Sequence, residues 1–199
     1  MTIDIVKLTP ERLDEALQVY ESVLGTSFRL DKEEILERLQ TCRGVFYVAI
    51  DTDTQHVIGI KFGYIDGDTC VGRGIAVLPA YRREGTATRL VRQFEQDIQA
   101  ILAVRQYVFG SSRTEGIPFH IAAGYEPQGL ILFRDRLLRD RLDMSGFKIT
   151  YEGYEEQYQM YQIFIALERL QANLAYLHNL QNEFPETNVQ FFFQRTFER

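Results

Sequence analysis

Cysteine is scarce in this 199-residue sequence: there are two, Cys42 and Cys70, far apart. That excludes a disulfide framework and a cysteine-based zinc site, and reads as free thiols in a reducing compartment. A cytoplasmic location and no metal site are therefore expected. Positive charge is also in deficit, with 22 Lys and Arg against 28 Asp and Glu and a net charge of -6. A general nucleic-acid binder needs the opposite balance to neutralise phosphates. No apolar run approaches the ~18 residues of a membrane span, and the opening MTIDIVKLTPERLDE has no apolar signal core, so no membrane partner is expected. There is no Gly/Ser- or Pro-rich linker, no internal repeat and no low-complexity stretch. With 45% hydrophobic and 25% charged residues, the chain reads as one globular domain over residues 1–199.

Periodicity supplies the coarse element order. Ile3, Ile5, Val6 and Leu8 open a short strand. Thr9-Pro10 then starts a helix over 10–24, with Leu13, Ala16, Leu17, Tyr20, Val23 and Leu24 on its inner face and Gly25 stopping it. Asp31 caps a second helix. GVFYVAID (44–51) and VIGIKFGYID (57–66) read as a hairpin, followed by a strand at CVGRGIAVL (70–78), a long helix from about Gly85 to Ala103, and a strand at 106–110. Beyond it come a short helix near 118–124 and a strand at 129–133. Residues 133–147 form a charged, solvated stretch. Met160, Ile163, Leu167, Leu170, Leu174 and Leu177 recur three and four apart, which predicts a long helix over 154–182. Its apolar stripe fits either a cover for the domain's own sheet or a homodimer contact. VQFFFQRTF (189–197) closes the chain as a buried strand.

The segment AVLPAYRREGTATRLV (76–91) concentrates anion-binding chemistry at a strand-to-helix junction. A helix N-terminus offers unpaired N–H groups and about half a positive charge. Gly85 permits close backbone approach, Ala87 leaves room beside the helix start, Thr86 and Thr88 bring hydroxyls, and Arg82 and Arg83 bring fork-shaped cationic donors. Together they read as a cradle for a diphosphate. Glu84, in the same loop, is expected to face solvent.

Val77-x-Pro79-x-Tyr81-Arg82-x-x-Gly85-x-Ala87-x-x-Leu90 resembles motif A of the GNAT superfamily of N-acetyltransferases, and FHIAAGYEPQGL (119–130) resembles that family's short fourth helix and its Gly-aromatic turn. The likeness covers roughly residues 3–130. It implies an α+β fold: a mixed, mostly antiparallel sheet flanked by helices, here with a C-terminal long helix and closing strand over 150–199. It also implies acetyl-CoA as acyl donor, gripped by residues 82–88. The backbone of Ala76 and Val77 would pair with the pantetheine arm, and a strand bulge, for which Gly72-Arg73-Gly74 is suited, would aim an N–H at the thioester oxygen. The acceptor would be a primary amine of a small molecule or peptide. Net negative charge mildly favours a cationic one through steering.

Acetyl transfer to an amine requires that an ammonium of pKa about 10.4 lose its proton. Many family members place a glutamate on the fourth strand for this, and CVGRGIAVL has no acid. Asp66 and Asp68, at the turn before that strand, are the substitutes, with a plain turn-forming role as the alternative. The family's tyrosine acid, four residues before the Gly-aromatic turn, is replaced by His120, which could serve as acid or base. A non-catalytic CoA-binding or protein-interaction module is the competing reading of the same residues.

Overall fold

A computed structural model describes residues 2–25, 30–41, 43–101, 103–111, 116–156 and 159–197. Cys42 lies outside them. The chain divides into two compact units, Met1–Phe109 with Thr196–Arg199, and Gly110–Arg195.

In the first unit, β1 (Ile3–Lys7), β2 (Gly44–Asp51), β3 (Val57–Asp66), β4 (Thr69–Val77) and β5 (Gln106–Ser111) follow one another across a sheet. The first three pairings are antiparallel, and β4 with β5 is parallel. Alternation of side chains divides the sheet's two faces. Phe46, Val48, Ile50, Ile60 and Phe62 join one core cluster with Leu13, Ala16, Val19 and Tyr20 of α1 (Leu13–Leu24) and Ile35 of α2 (Lys32–Gln40). Intervening residues such as Lys61 face the other way, toward Phe94 of α3 (Thr86–Ala100). That helix buries Leu90, Val91, Phe94 and Ile98, an apolar stripe at three- and four-residue spacing. Asp31 caps α2 as expected: its carboxylate accepts from the Glu33 and Glu34 amides at 2.8 and 3.4 Å.

The second unit contains α4 (Ile117–Ala122), β6 (Glu126–Phe133), β7 (Ile149–Glu155), β8 (Met160–Ala166), α5 (Leu170–Glu183) and β9 (Asn188–Thr196). Its strands run in the order β9-β6-β8-β7, antiparallel throughout. The closing strand at 189–197 is therefore present. The single helix over 154–182 is not: its first half is the β7–β8 hairpin, and only Leu170–Glu183 is helical. Ile163, Ile165 and Leu167 are buried at alternate positions, a period of two that the three-and-four spacing of Met160, Ile163 and Leu167 concealed. Cross-strand aromatic contacts add to the hairpin, with the Tyr154 and Tyr161 rings 4.8 Å apart. The charged stretch expected to be irregular contains a short 3-10 turn, Arg136–Arg141, that buries Leu138.

Candidate functional site

β4 pairs with β5 from Thr69 to Gly72 and then continues to Val77 beyond the end of that ladder. Among the described residues the strands thus part halfway along β4. Where they part, β4 bulges. Phe62 of β3 faces Gly74 and Gly63 faces Gly72, leaving Arg73 as the extra residue. The glycines expected to allow a bulge do so. Gly74 adopts φ +139°, and a Cβ there would fall 2.9 Å from the Tyr20 ring.

Both carbonyls of the bulge are held. The Tyr20 hydroxyl donates to the Arg73 carbonyl at 2.7 Å. The Lys61 ammonium donates to the Gly74 and Phe62 carbonyls, each at 3.3 Å. In a trans peptide the N–H points opposite to the C=O, so fixing these carbonyls fixes the directions of the Gly74 and Ile75 amides. Lys61 is 3% exposed and lies over the rings of Phe94, Tyr107 and Phe109, 4.6–5.8 Å from their centroids. Burial pushes its pKa down to about 8. The Cys70 thiol nearby is pushed up to about 12 by burial, so it stays protonated and is a poor nucleophile.

Past Val77 the chain makes a 3-10 turn at Pro79–Tyr81, and the loop to α3 is pinned on several sides. The Tyr81 hydroxyl donates to the Asp51 carboxylate at 3.1 Å. Arg82 Nε donates to the Val77 carbonyl at 3.0 Å. Arg83 and Gly85 are both left-handed, at φ +67° and +76°, and Gly85 is the N-cap of α3. A Cβ on Gly85 would meet nothing within 4 Å. Gly85 thus opens a 15-residue helix without a side-chain cap, and the first-turn amides of such a helix have no acceptor within it. Arg82, Arg83, Glu84, Gly85 and Thr88 are exposed, and Ala87 is half-buried.

Thr86 departs from expectation. It is 1% exposed, and its hydroxyl donates to the Tyr81 carbonyl at 3.4 Å, so it fastens the loop and does not point outward. The Val77 carbonyl accepts from Arg82, and Ala76 beside it is buried and pairs with Ile60 on the β3 edge of β4. The remaining loop groups fit a diphosphate: an open cap, an exposed pair of arginines and a helix start.

The proton-handling candidates are Asp66, Asp68 and His120. Asp66 and Asp68 flank the β3–β4 turn, exposed. The Asp68 carbonyl accepts from the amides of Arg105 and Gln106, and its carboxylate from the Thr69 hydroxyl. Nine residues of β4 separate that turn from the cradle, roughly 25–30 Å of strand. The structure does not bring these acids to the loop. His120, in the second unit, is 8% exposed and packed against Phe119, Tyr125 and Phe193, with ring centroids 4.7–6.1 Å away. Tyr20 and Lys61 were legible only as a helix core residue and a strand lysine. The one signal for Lys61 was a lysine inside the apolar run VIGIKFGYI, where a charge is out of place.

Residues 42–127 match the family model of the acetyltransferase (GNAT) domain. A GNAT-family acetyltransferase of Staphylococcus aureus Mu50 superposes with a TM-score of 0.55 at 15% identity, covering 84% of this chain and all of its own. The ribosomal-protein-S18-alanine N-acetyltransferase of Escherichia coli gives 0.54 at 13% identity, covering 83% of this chain and 92% of its own. AAC(6')-Iy, in complex with the bisubstrate analogue CoA-S-monomethyl-acetylneamine, gives 0.50 at 18% identity over 62% of this chain and 89% of its own. No curated protein matches the sequence. The resemblance is matched by that domain model over residues 42–127, which include Arg82, Gly85 and Ala87, and the mixed, mostly antiparallel α+β fold is shared with these GNAT-family structures. Among the described residues, no helix is long and apolar enough to cross a membrane.

Proposed function

We propose that this chain is an acyl-CoA-dependent N-acyltransferase that moves an acetyl group from acetyl-CoA to a primary amine by direct attack in a ternary complex. The observation that carries the reading is the open, left-handed cap at Gly85, at the start of α3 and immediately after a strand that has parted from its neighbour. The α3 amides and the guanidinium groups of Arg82 and Arg83 would hold the diphosphate. Acetyl-CoA supplies an activated carbonyl whose C–S bond breaks as the C–N bond forms, releasing free thiol and an amide. The bulge amides, held in direction by Tyr20 and Lys61, would donate to the oxygen that becomes negative during attack.

No carboxylate stands on β4 to take the amine's proton. That fact favours one second reading, a CoA-binding module without turnover. An acceptor screen separates the two. Acetyl-CoA is incubated with a broad amine panel and free thiol is followed. Amine-dependent thiol release is the expected result. Binding of acetyl-CoA with no release on any amine would assign the second reading.

A further inference from the structure

Within the first unit, the turn between β2 and β3 meets the loop that opens α3 through one side-chain contact. The Tyr81 hydroxyl donates to the Asp51 carboxylate at 3.1 Å, across 30 residues of chain. Both ends of that contact are themselves held. Asp51 is 4% exposed. Its amide donates to the His56 carbonyl at 3.0 Å, its carbonyl accepts from the Gln55 amide at 2.8 Å, and its other carboxylate oxygen accepts from the Asp53 amide at 3.0 Å. At the opposite end, the Tyr81 carbonyl accepts from the hydroxyl of Thr86, the buried first residue of α3. Tyr81 and Thr86 therefore close residues 82–85 into a tight loop, and Asp51 fastens that loop to the sheet. Its crest, Arg82, Arg83, Glu84 and Gly85, is exposed throughout.

An exposed segment with two left-handed residues, Arg83 and Gly85, has many conformations open to it unless something restricts them. The ties at Asp51 and Thr86 restrict them before any ligand arrives, and a site ordered in advance binds more tightly than one ordered on binding. Arg82 Nε is engaged by the Val77 carbonyl, which leaves the terminal nitrogens of that guanidinium to meet an anion. Resting on the reading of residues 82–88 as a diphosphate cradle, we propose that Asp51 and Tyr81 are positioning residues for the acyl donor. They act through the loop, by holding Arg82, Arg83 and the start of α3 in the arrangement the diphosphate needs. The effect is confined to donor affinity. The bulge is held separately, by Tyr20 and Lys61, and does not depend on this bond.

The test is calorimetric titration of acetyl-CoA, which needs no acceptor. Tyr81→Phe should weaken binding by roughly five- to tenfold, part of the worth of one hydrogen bond to a charged group. Asp51→Asn keeps an oxygen for the Asp53 amide and sets an amide nitrogen opposite Tyr81, so it should weaken binding by a similar factor. The double variant should be little weaker than either single one, because both break the same bond. Tyr47→Phe is the matched control. It removes a tyrosine–aspartate hydrogen bond to Asp97, toward the far end of α3, and should lower the melting temperature while leaving the Kd unchanged. In turnover, Tyr81→Phe should raise the KM for acetyl-CoA by the same factor at unchanged kcat. Additive losses in the double variant, or equal weakening in Tyr47→Phe, overturn the assignment. Binding to wild type that Tyr81→Phe leaves unmoved sinks this inference alone, while absence of binding to wild type sinks the cradle reading and this inference with it.

Discussion

The Tyr20 hydroxyl reaches from α1 to the carbonyl of Arg73, 2.7 Å away and 53 residues later in the chain. It ties the first helix to the one irregular residue of β4. Tyr20 is 3% exposed and stacks on Phe62 at 6.2 Å with an interplanar angle of 11°, so packing as well as the hydrogen bond positions the ring. Tyr20→Phe keeps the stack and removes the donor. It should cost about 1–2 kcal/mol in urea unfolding, because a part-buried carbonyl loses its partner. It should also lower kcat while leaving the KM for acetyl-CoA unchanged, since the bulge and not the diphosphate cradle is disturbed. An altered KM with normal kcat would contradict this.

Lys61 makes stability depend on pH with a definite sign. Burial lowers its pKa from 10.5 to about 8, opposed in part by Cys70 and Glu95. Between those values the unfolded chain binds more protons than the folded one, so the lysine's contribution to stability rises with pH. The full span is about 3 kcal/mol. Cys70 acts in the opposite sense: its thiol rises from 9.0 to about 12, so its contribution falls above pH 9. Unfolding of wild type and Lys61→Met, both in a Cys70→Ala background, isolates the lysine. The Lys61 protein should gain on Lys61→Met as pH climbs from 8 to 10.5. Parallel profiles would show that the ammonium is not desolvated.

His120 sits where a core ring would sit, against Phe119, Tyr125 and Phe193. His120→Ala should therefore destabilise the protein by on the order of 2 kcal/mol, as large-to-small core changes do. Turnover per folded molecule should persist. A loss of roughly a hundredfold or more in kcat at an unchanged unfolding midpoint would instead mark the histidine as a general acid or base.

Much of the fold was readable because its signals are local. Asp31 capping α2, the 44–51 and 57–66 hairpin, and the stripe of Leu90, Phe94 and Ile98 each depend on neighbours within one or two turns. The 154–182 region failed because Met160, Ile163 and Leu167 satisfy two periodicities at once, and pairing with β6 and β7 decided for a strand. At the site, the loop announced itself through Arg82, Gly85 and Ala87, and the bulge through Gly72 and Gly74. What sequence could not give was direction. Thr86 turns its hydroxyl inward, and Tyr20 and Lys61 meet the bulge from distant segments, an encounter that no spacing encodes.

The most direct test of the whole account is calorimetric titration of acetyl-CoA into wild type and Gly85→Glu. The glycine's Cβ position is open, so the glutamate would project into the cradle with its negative charge, at a backbone cost of about 1–2 kcal/mol for the left-handed conformation. The account predicts saturable binding to wild type and none to a Gly85→Glu protein that remains folded. Equal binding to both, or none to either, would contradict it.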